Sequence, residues 1–180
     1  MILLHICCAP CGGGCVERLE EEEHLKPLLF YSNSNIDTKE EFERRLESVR
    51  LLAESTGSEL AVDPYDHAAW LEAVKGLEKE PEHGARCARC FAFSLGRCAA
   101  FAAGRPFCTT LTVSPRKDSK VIFAAGAAWG NFVPMDFKKR DGYKRSCRIA
   151  REKGFYRQNY CGCEFSRIHG GNNENHISGQ

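Results

Sequence analysis

Short apolar runs alternating with longer amphipathic segments predict an α/β fold, doubly wound, with a mainly parallel sheet and helices on both faces. Two observations carry this. Ile2–Ile6 and Pro27–Tyr31 are nearly continuous apolar runs, as strands covered on both faces require. Between such runs lie segments with helical spacing, the clearest opening at Thr38-Lys39-Glu40-Glu41, which has the form of a capping box.

Taken in order, Met1 to Ile6 is the first strand, and a cysteine- and glycine-rich turn leads to a helix from about Cys15 to His24. Pro27–Tyr31 is the second strand, ending in the turn-like Ser32-Asn33-Ser34-Asn35. Phe42, Leu46, Val49 and Leu52 recur at helical spacing until Gly57 closes the segment. Leu60–Val62 is a third strand, His67–Leu77 a short helix, Cys87–Ala103 a longer one and Phe107–Val113 a β-branched strand. Asp118–Trp129 reads as a helix rich in small residues, Phe132–Met135 as a last strand, and Asp141–Lys153 as a basic helix. Residues 1–169 are expected to form one α/β domain, and 170–180, dominated by Gly, Asn and Ser, a frayed tail.

Composition removes several classes. Apolar residues make up 43% and charged residues 27% of the 180, an ordinary globular balance. No stretch approaches the roughly 20 apolar residues of a membrane helix, and the N-terminal apolar run breaks at His5, short of a signal peptide. The expected location is the cytoplasm, where thiols stay reduced, so eleven cysteines point to metal or redox chemistry rather than disulfides.

Seven of the eleven fall in three tight groups: Cys7, Cys8 and Cys11; Cys87 and Cys90; Cys161 and Cys163. Cys87 and Cys90 lie three apart at a helix start, on one face, where the helix dipole is expected to lower thiol pKa values. A zinc ribbon would place its two pairs about 15–20 residues apart, and a thioredoxin-like pair would leave five thiols without a role. Seven clustered sulfurs suit a four-thiolate iron–sulfur cluster with thiols to spare. The other four, Cys15, Cys98, Cys108 and Cys147, align with apolar neighbours (Cys147 with Tyr143 and Ala150), as core cysteines do.

Leu4-His5-Ile6-Cys7-Cys8-Ala9-Pro10-Cys11, Arg86-Cys87-Ala88-Arg89-Cys90, Thr109-Thr110-Leu111 and Tyr156-Arg157-Gln158-Asn159-Tyr160-Cys161-Gly162-Cys163 resemble the cobalamin-independent epoxyqueuosine reductase QueH family, in order and over nearly the whole chain. The resemblance implies reduction of an epoxide on a tRNA base to an alkene, with a 4Fe-4S cluster and a second, mononuclear iron. Cys8, Cys11, Cys87 and Cys90 are then expected to hold the cluster, and Cys7, Cys161 and Cys163, with Asp136, the second iron. His5, Asp136 and Tyr156 are the candidate acid–base groups. The only dense basic run, Lys138-Lys139-Arg140-Asp141-Gly142-Tyr143-Lys144-Arg145, together with Arg116, Arg157 and Gln158, is the expected tRNA contact. Tyr31, Trp129 and Tyr156 are candidates for stacking on a base. An unidentified low-potential electron donor completes the expected partners.

Two rival readings remain at this stage. A cysteine loop after strand one of such a sheet is also similar to ATP-dependent tRNA sulfur transferases of the PP-loop (HUP) type, with their nucleotide loop replaced by Cys-Cys-Ala-Pro-Cys-Gly-Gly-Gly. Pro10 removes an amide from any phosphate cradle there. The non-enzymatic alternative is a zinc-stabilised tRNA-binding module.

Overall fold

The structure, a computed structural model, describes residues 1–166, so the expected tail lies outside the described residues. Four strands, β1 (Ile2–Ile6), β2 (Pro27–Tyr31), β3 (Leu60–Val62) and β4 (Phe107–Thr109), form one all-parallel sheet in the order β3-β2-β1-β4. Six α-helices accompany them among the described residues: α1 (Ala9–Glu21), α2 (Lys39–Thr56), α3 (His67–Ala73), α4 (Ala85–Ala102), α5 (Ser119–Gly126) and α6 (Gly142–Glu152).

Period-two alternation sends β1 side chains into two cores. Ile2, Leu4 and Ile6 pack with Val16, Leu19, Val49 and Leu52 of α1 and α2. Leu3 packs on the other face with Phe107 and with Leu95 and Cys98 of α4. The doubly wound expectation therefore holds, with β1 buried along its whole length. A smaller third cluster joins Trp70 and Val74 to Cys163 and fixes the C-terminal thiol segment against α3 and α4.

Thr38 caps α2 by accepting from the Glu41 amide at 3.2 Å, and Gly57 ends it with φ 61°. Elsewhere the boundaries move. The expected strand at Phe132–Met135 is a single parallel bridge, Phe107 to Phe132, because Pro134 has no N–H to extend the ladder. The strand expected over Phe107–Val113 stops at Thr109, whose hydroxyl accepts from the Leu111 amide at 3.1 Å and starts a 3-10 turn over Thr110–Val113.

The largest change is at α1, which begins at Ala9 rather than near Cys15. Pro10 suits a first helical turn, whose amides need no intrahelical partner. The glycines that read as a loop instead let α6 lie directly on α1. A methyl at Gly13 would stand 2.8 Å from Ile149 Cγ2, and one at Gly14 would stand 2.5 Å from Ser146 Oγ and 2.8 Å from the Gly142 carbonyl. The contact outweighs the helix cost of about 1 kcal/mol per glycine.

Candidate metal centre

All four strands run the same way, so Ile6, Tyr31, Val62 and Thr109 end at one edge of the sheet, where ligands of open α/β sheets collect. The first cysteine group sits there. Cys7 follows β1, Cys8 occupies the N-cap of α1, and Cys11 lies in its first turn. The three sulfurs fall within 4.8 Å of one another, with Cys7 and Cys8 3.9 Å apart. Neighbouring strand ends hold Cys7 in place. Its amide donates to Thr110 Oγ1 at 3.2 Å, the Thr110 hydroxyl donates to its sulfur at 3.4 Å, and Asn33 Nδ2 donates to its carbonyl at 2.6 Å.

A cleft of about 220 Å³ opens over this group, bordered by Cys7, Cys11, Cys90 and Cys161. A smaller hollow of about 30 Å³ adjoins it and is bordered by Cys87, Cys90, Cys161 and Cys163. Cys90, Cys161 and Lys117 border both, so the three sequence groups meet in one continuous thiol-lined space, with Cys8 buried behind Cys7 and Cys11. The C-terminal pair is held by backbone clamps. Arg45 Nη1 donates to the Cys161 carbonyl at 3.0 Å, the Asp37 amide to the Gly162 carbonyl at 3.0 Å, and the Ser166 hydroxyl to the Cys163 carbonyl at 2.7 Å. Gly162 takes φ 135°, a conformation that side-chain-bearing residues rarely adopt.

Charge in the first group is unevenly shared. Hydrogen bonds from Cys11 and Cys8 hold the Cys7 thiol well below its ordinary value against the effect of burial, and Lys117 adds to this. Cys7 and Cys8 push the Cys11 thiol well above that value. Cys8 is pushed up to about 12, since its bond with Cys7 and burial outweigh the help of Cys11. The trio thus carries one negative charge readily and resists three, and a bound cation would take the place of the remaining protons. Three close sulfurs without a carboxylate form a soft donor set that could hold a metal ion.

The dipole expectation for the second group is not met. Burial raises both the Cys87 and Cys90 thiols, and neither the His83 amide 3.3 Å from Cys87 Sγ nor the helix terminus reverses this. For Lys117, burial alone would depress the ammonium, but Cys161, Cys7, Cys11 and Cys8 hold it above the ordinary lysine value. It is a fixed positive charge among the thiols.

The candidate acid–base groups separate. His5 borders the cleft but is buried, with Nε2 3.0 Å from the Ser32 carbonyl and Nδ1 2.8 Å from the Thr109 hydroxyl. A carbonyl only accepts, so Nε2 carries the proton and Nδ1 accepts from Thr109. Burial lowers its pKa, and the ring braces three strands as a neutral group. Tyr156 does not border the cleft; its hydroxyl donates to Glu41 at 3.1 Å, and Arg44 lies 3.9 Å over its ring. Asp136 is not brought to the thiols either. It accepts from the Ser119 hydroxyl at 3.1 Å and borders another hollow beside Met1, Ile2 and Pro106, at the amino ends of the strands.

The basic run also divides. Arg145 pairs with Glu22 at 2.9 Å and Arg148 with Glu17 at 2.7 Å, which ties α6 to α1. Lys138 turns inward to the Lys117 carbonyl at 2.8 Å and the Ser119 hydroxyl at 2.6 Å. Lys139 borders the hollow beside Asp136, whereas Lys144 is exposed. Arg116 and Gln158 border the cleft, and Arg157 is exposed next to them. Of the stacking candidates, Tyr31 is wholly buried and Trp129 lies against Gly96 of α4.

Sequence reasoning did not single out Asn33, Asn35 or Arg45, which border the cleft. The asparagines had a usable signal: a polar run directly after a buried strand in a parallel sheet stands at the ligand edge. Arg45, on a helix face, had none.

Cysteines from three separated segments, gathered at the carboxyl edge of a parallel sheet around a cleft, define an α/β protein with a thiol-lined site able to bind metal. The family model described as epoxyqueuosine reductase QueH matches residues 2–169, and the chain belongs to that family. It is similar to the epoxyqueuosine reductase QueH of Streptococcus pyogenes serotype M1, with 35% identity over 92% of this chain and 69% of that protein. The QueH proteins of Thermotoga maritima (34% identity; 93% of this chain, 90% of the relative) and Staphylococcus aureus (32%; 94% and 77%) are similar over comparable spans.

Proposed function

We propose that the protein reduces epoxyqueuosine in tRNA to queuosine, with a 4Fe-4S cluster and a second, mononuclear iron held in the thiol cleft. The observation that carries this is the convergence of the three cysteine groups at the sheet's ligand edge, where six of the seven thiols border adjoining cavities and Cys8 is buried beside them. The donor set fits such groups, being all sulfur, partly buried and accompanied by a fixed cation. Cys8, Cys11, Cys87 and Cys90 would hold the cluster, and Cys7, Cys161 and Cys163 the second iron. When bound, these groups supply electrons singly at low potential and Lewis acidity toward the epoxide oxygen.

The reaction consumes two electrons and two protons, turns the epoxide into an alkene and releases water. The chain's own residues prepare for it. Thr110 and Asn33 fix Cys7, and Arg45 fixes Cys161. Lys117 offsets the thiolate charge and carries a proton at neutral pH beside the cleft. Arg116 and Arg157 stand at the rim to meet tRNA phosphates. No helix among the described residues is long and apolar enough to cross a membrane, and the thiol chemistry fits the reducing cytoplasm. A low-potential donor supplies the electrons.

The test is anaerobic purification followed by metal and sulfide analysis and an assay on epoxyqueuosine tRNA with a low-potential chemical reductant. Brown protein containing iron and sulfide, with turnover lost on Cys90→Ala or Cys161→Ala, is expected. Colourless protein with stoichiometric zinc and no turnover would sink the proposal in favour of a zinc-stabilised RNA-binding module. ATP-dependent sulfur transfer would replace it with the transferase reading.

A further inference from the structure

Beside the thiol cleft lies a second hollow of about 130 Å³, and Cys11 and Gln158 border both. Pro10 and Val113 line it, with Tyr143, Cys147 and Arg157 at its outer side. Tyr143 is 46% exposed, although its spacing with Cys147 and Ala150 reads as a core stripe. The reason is the small-residue contact described above. Gly142, Ser146 and Ala150, four apart, are the buried residues of α6, which leaves Tyr143 and Cys147 one step round the helix.

The charges nearby, Arg157 on the hollow and Arg116 on the adjoining cleft, are also unlike those of α6. Arg145 and Arg148 are paired with carboxylates of α1, whereas Arg157 and Arg116 have no carboxylate partner among the described residues. The hydrogen bond with Cys147 raises the Tyr143 phenol, while the positive charges of Arg157 and Arg116 pull it the other way. Gln158 Oε1, at the boundary with the cleft, is buried and has no hydrogen-bond partner among the described residues. An exposed ring, unpaired guanidiniums and a free amide acceptor are the parts from which single-stranded nucleic-acid sites are built.

We infer that this hollow is a subsite for a nucleotide flanking the modified base: the flanking base stacks on Tyr143, Gln158 Oε1 accepts from it, and its phosphates meet Arg157 and Arg116. The inference rests on the tRNA-reductase reading and adds a contact outside the thiol cleft. It places the base to be reduced at Cys11 and Gln158, with its neighbour one step outward over Tyr143.

The test uses the metal-loaded protein and the RNA hairpin that carries the modified position, with intact neighbours or with an abasic site on one side or the other. Fluorescence anisotropy should show the unsubstituted protein losing about tenfold in affinity for one of the two abasic hairpins. Tyr143→Ala should bind the intact hairpin about tenfold more weakly and cease to discriminate, while Tyr143→Phe should behave as the parent. Arg157→Gln should weaken all three hairpins alike and reduce the salt slope by about one. Equal binding of all three hairpins by the parent, or discrimination that survives Tyr143→Ala, overturns the subsite. Turnover of epoxyqueuosine tRNA by the same preparations reports the reductase reading separately, since hairpin discrimination without turnover would refute the reaction and uphold the subsite.

Discussion

Replacing Arg45 by methionine keeps the length of the side chain and removes its guanidinium. Arg45 is 3% exposed, its Nε lies 2.7 Å from Glu41 Oε1, and its Nη1 donates to the Cys161 carbonyl. Without it, the Glu41 carboxylate stays buried with only the Tyr156 hydroxyl donating to it. Breaking a buried ion pair from one side costs about 3–5 kcal/mol, and the remaining tyrosine bond places the expected loss near the lower limit, about 3 kcal/mol. For a domain of this size that is a fall of roughly 6–12 °C in Tm. Adding Glu41→Gln removes the stranded charge, so the double variant should recover at least about 1 kcal/mol. Urea unfolding of anaerobic protein, followed by Trp fluorescence, is the assay, because Trp70 packs against Cys163 in the segment that Arg45 clamps. A loss below about 1 kcal/mol, or a double variant less stable than Arg45→Met alone, would refute the account.

Gly14→Ala should cost about 1–2 kcal/mol in the same assay: overpacking against Ser146 Oγ and the Gly142 carbonyl outweighs the better helix propensity of alanine. Gly130→Ala, where an added methyl meets nothing within 4 Å, serves as the near-neutral control. At acid pH, Glu22 should matter. Its hydrogen bond from Arg140, aided by Arg145 and Arg18, holds its carboxyl below the ordinary range. That stabilisation is present above the unfolded carboxyl pKa of about 4.3 and is lost as pH falls through the lower folded value. Tm of Glu22→Gln should therefore fall less steeply than that of the parent below about pH 4.3; equal slopes would show that the Arg140–Glu22 contact carries no free energy.

Strand β1 and helix α2 were legible because their signals are local: four apolar residues among five in one, a threonine cap and a closing glycine in the other. The cysteine groups were legible because thiol spacing is itself chemistry. What escaped depends on partners distant in sequence. Three glycines after Pro10 look like a loop until Gly12 is seen against Leu52 and Ile6, and Gly13 and Gly14 beneath α6, more than a hundred residues away. Phe132 has strand composition, but Pro134 limits it to one bridge. Asp136 and Tyr156 sit near site motifs in sequence and turn to Ser119 and Glu41 in space. Tyr143 has the spacing of a core residue, but the face of α6 that is buried was chosen by α1.

The glycine contact between α1 and α6 also has a mechanical consequence. Helix interfaces ordinarily yield through their side chains, which change rotamer and absorb small displacements. At Gly13 and Gly14 that padding is missing, and α6 presses on the α1 backbone through Ile149, Ser146 and its own main chain. Close-packed contacts of this kind transmit strain rather than dissipate it. Cys11 rides on one helix and Tyr143 on the other, so the spacing between thiol and rim is gauged by main chain, and a load placed on the rim is felt at the sulfur.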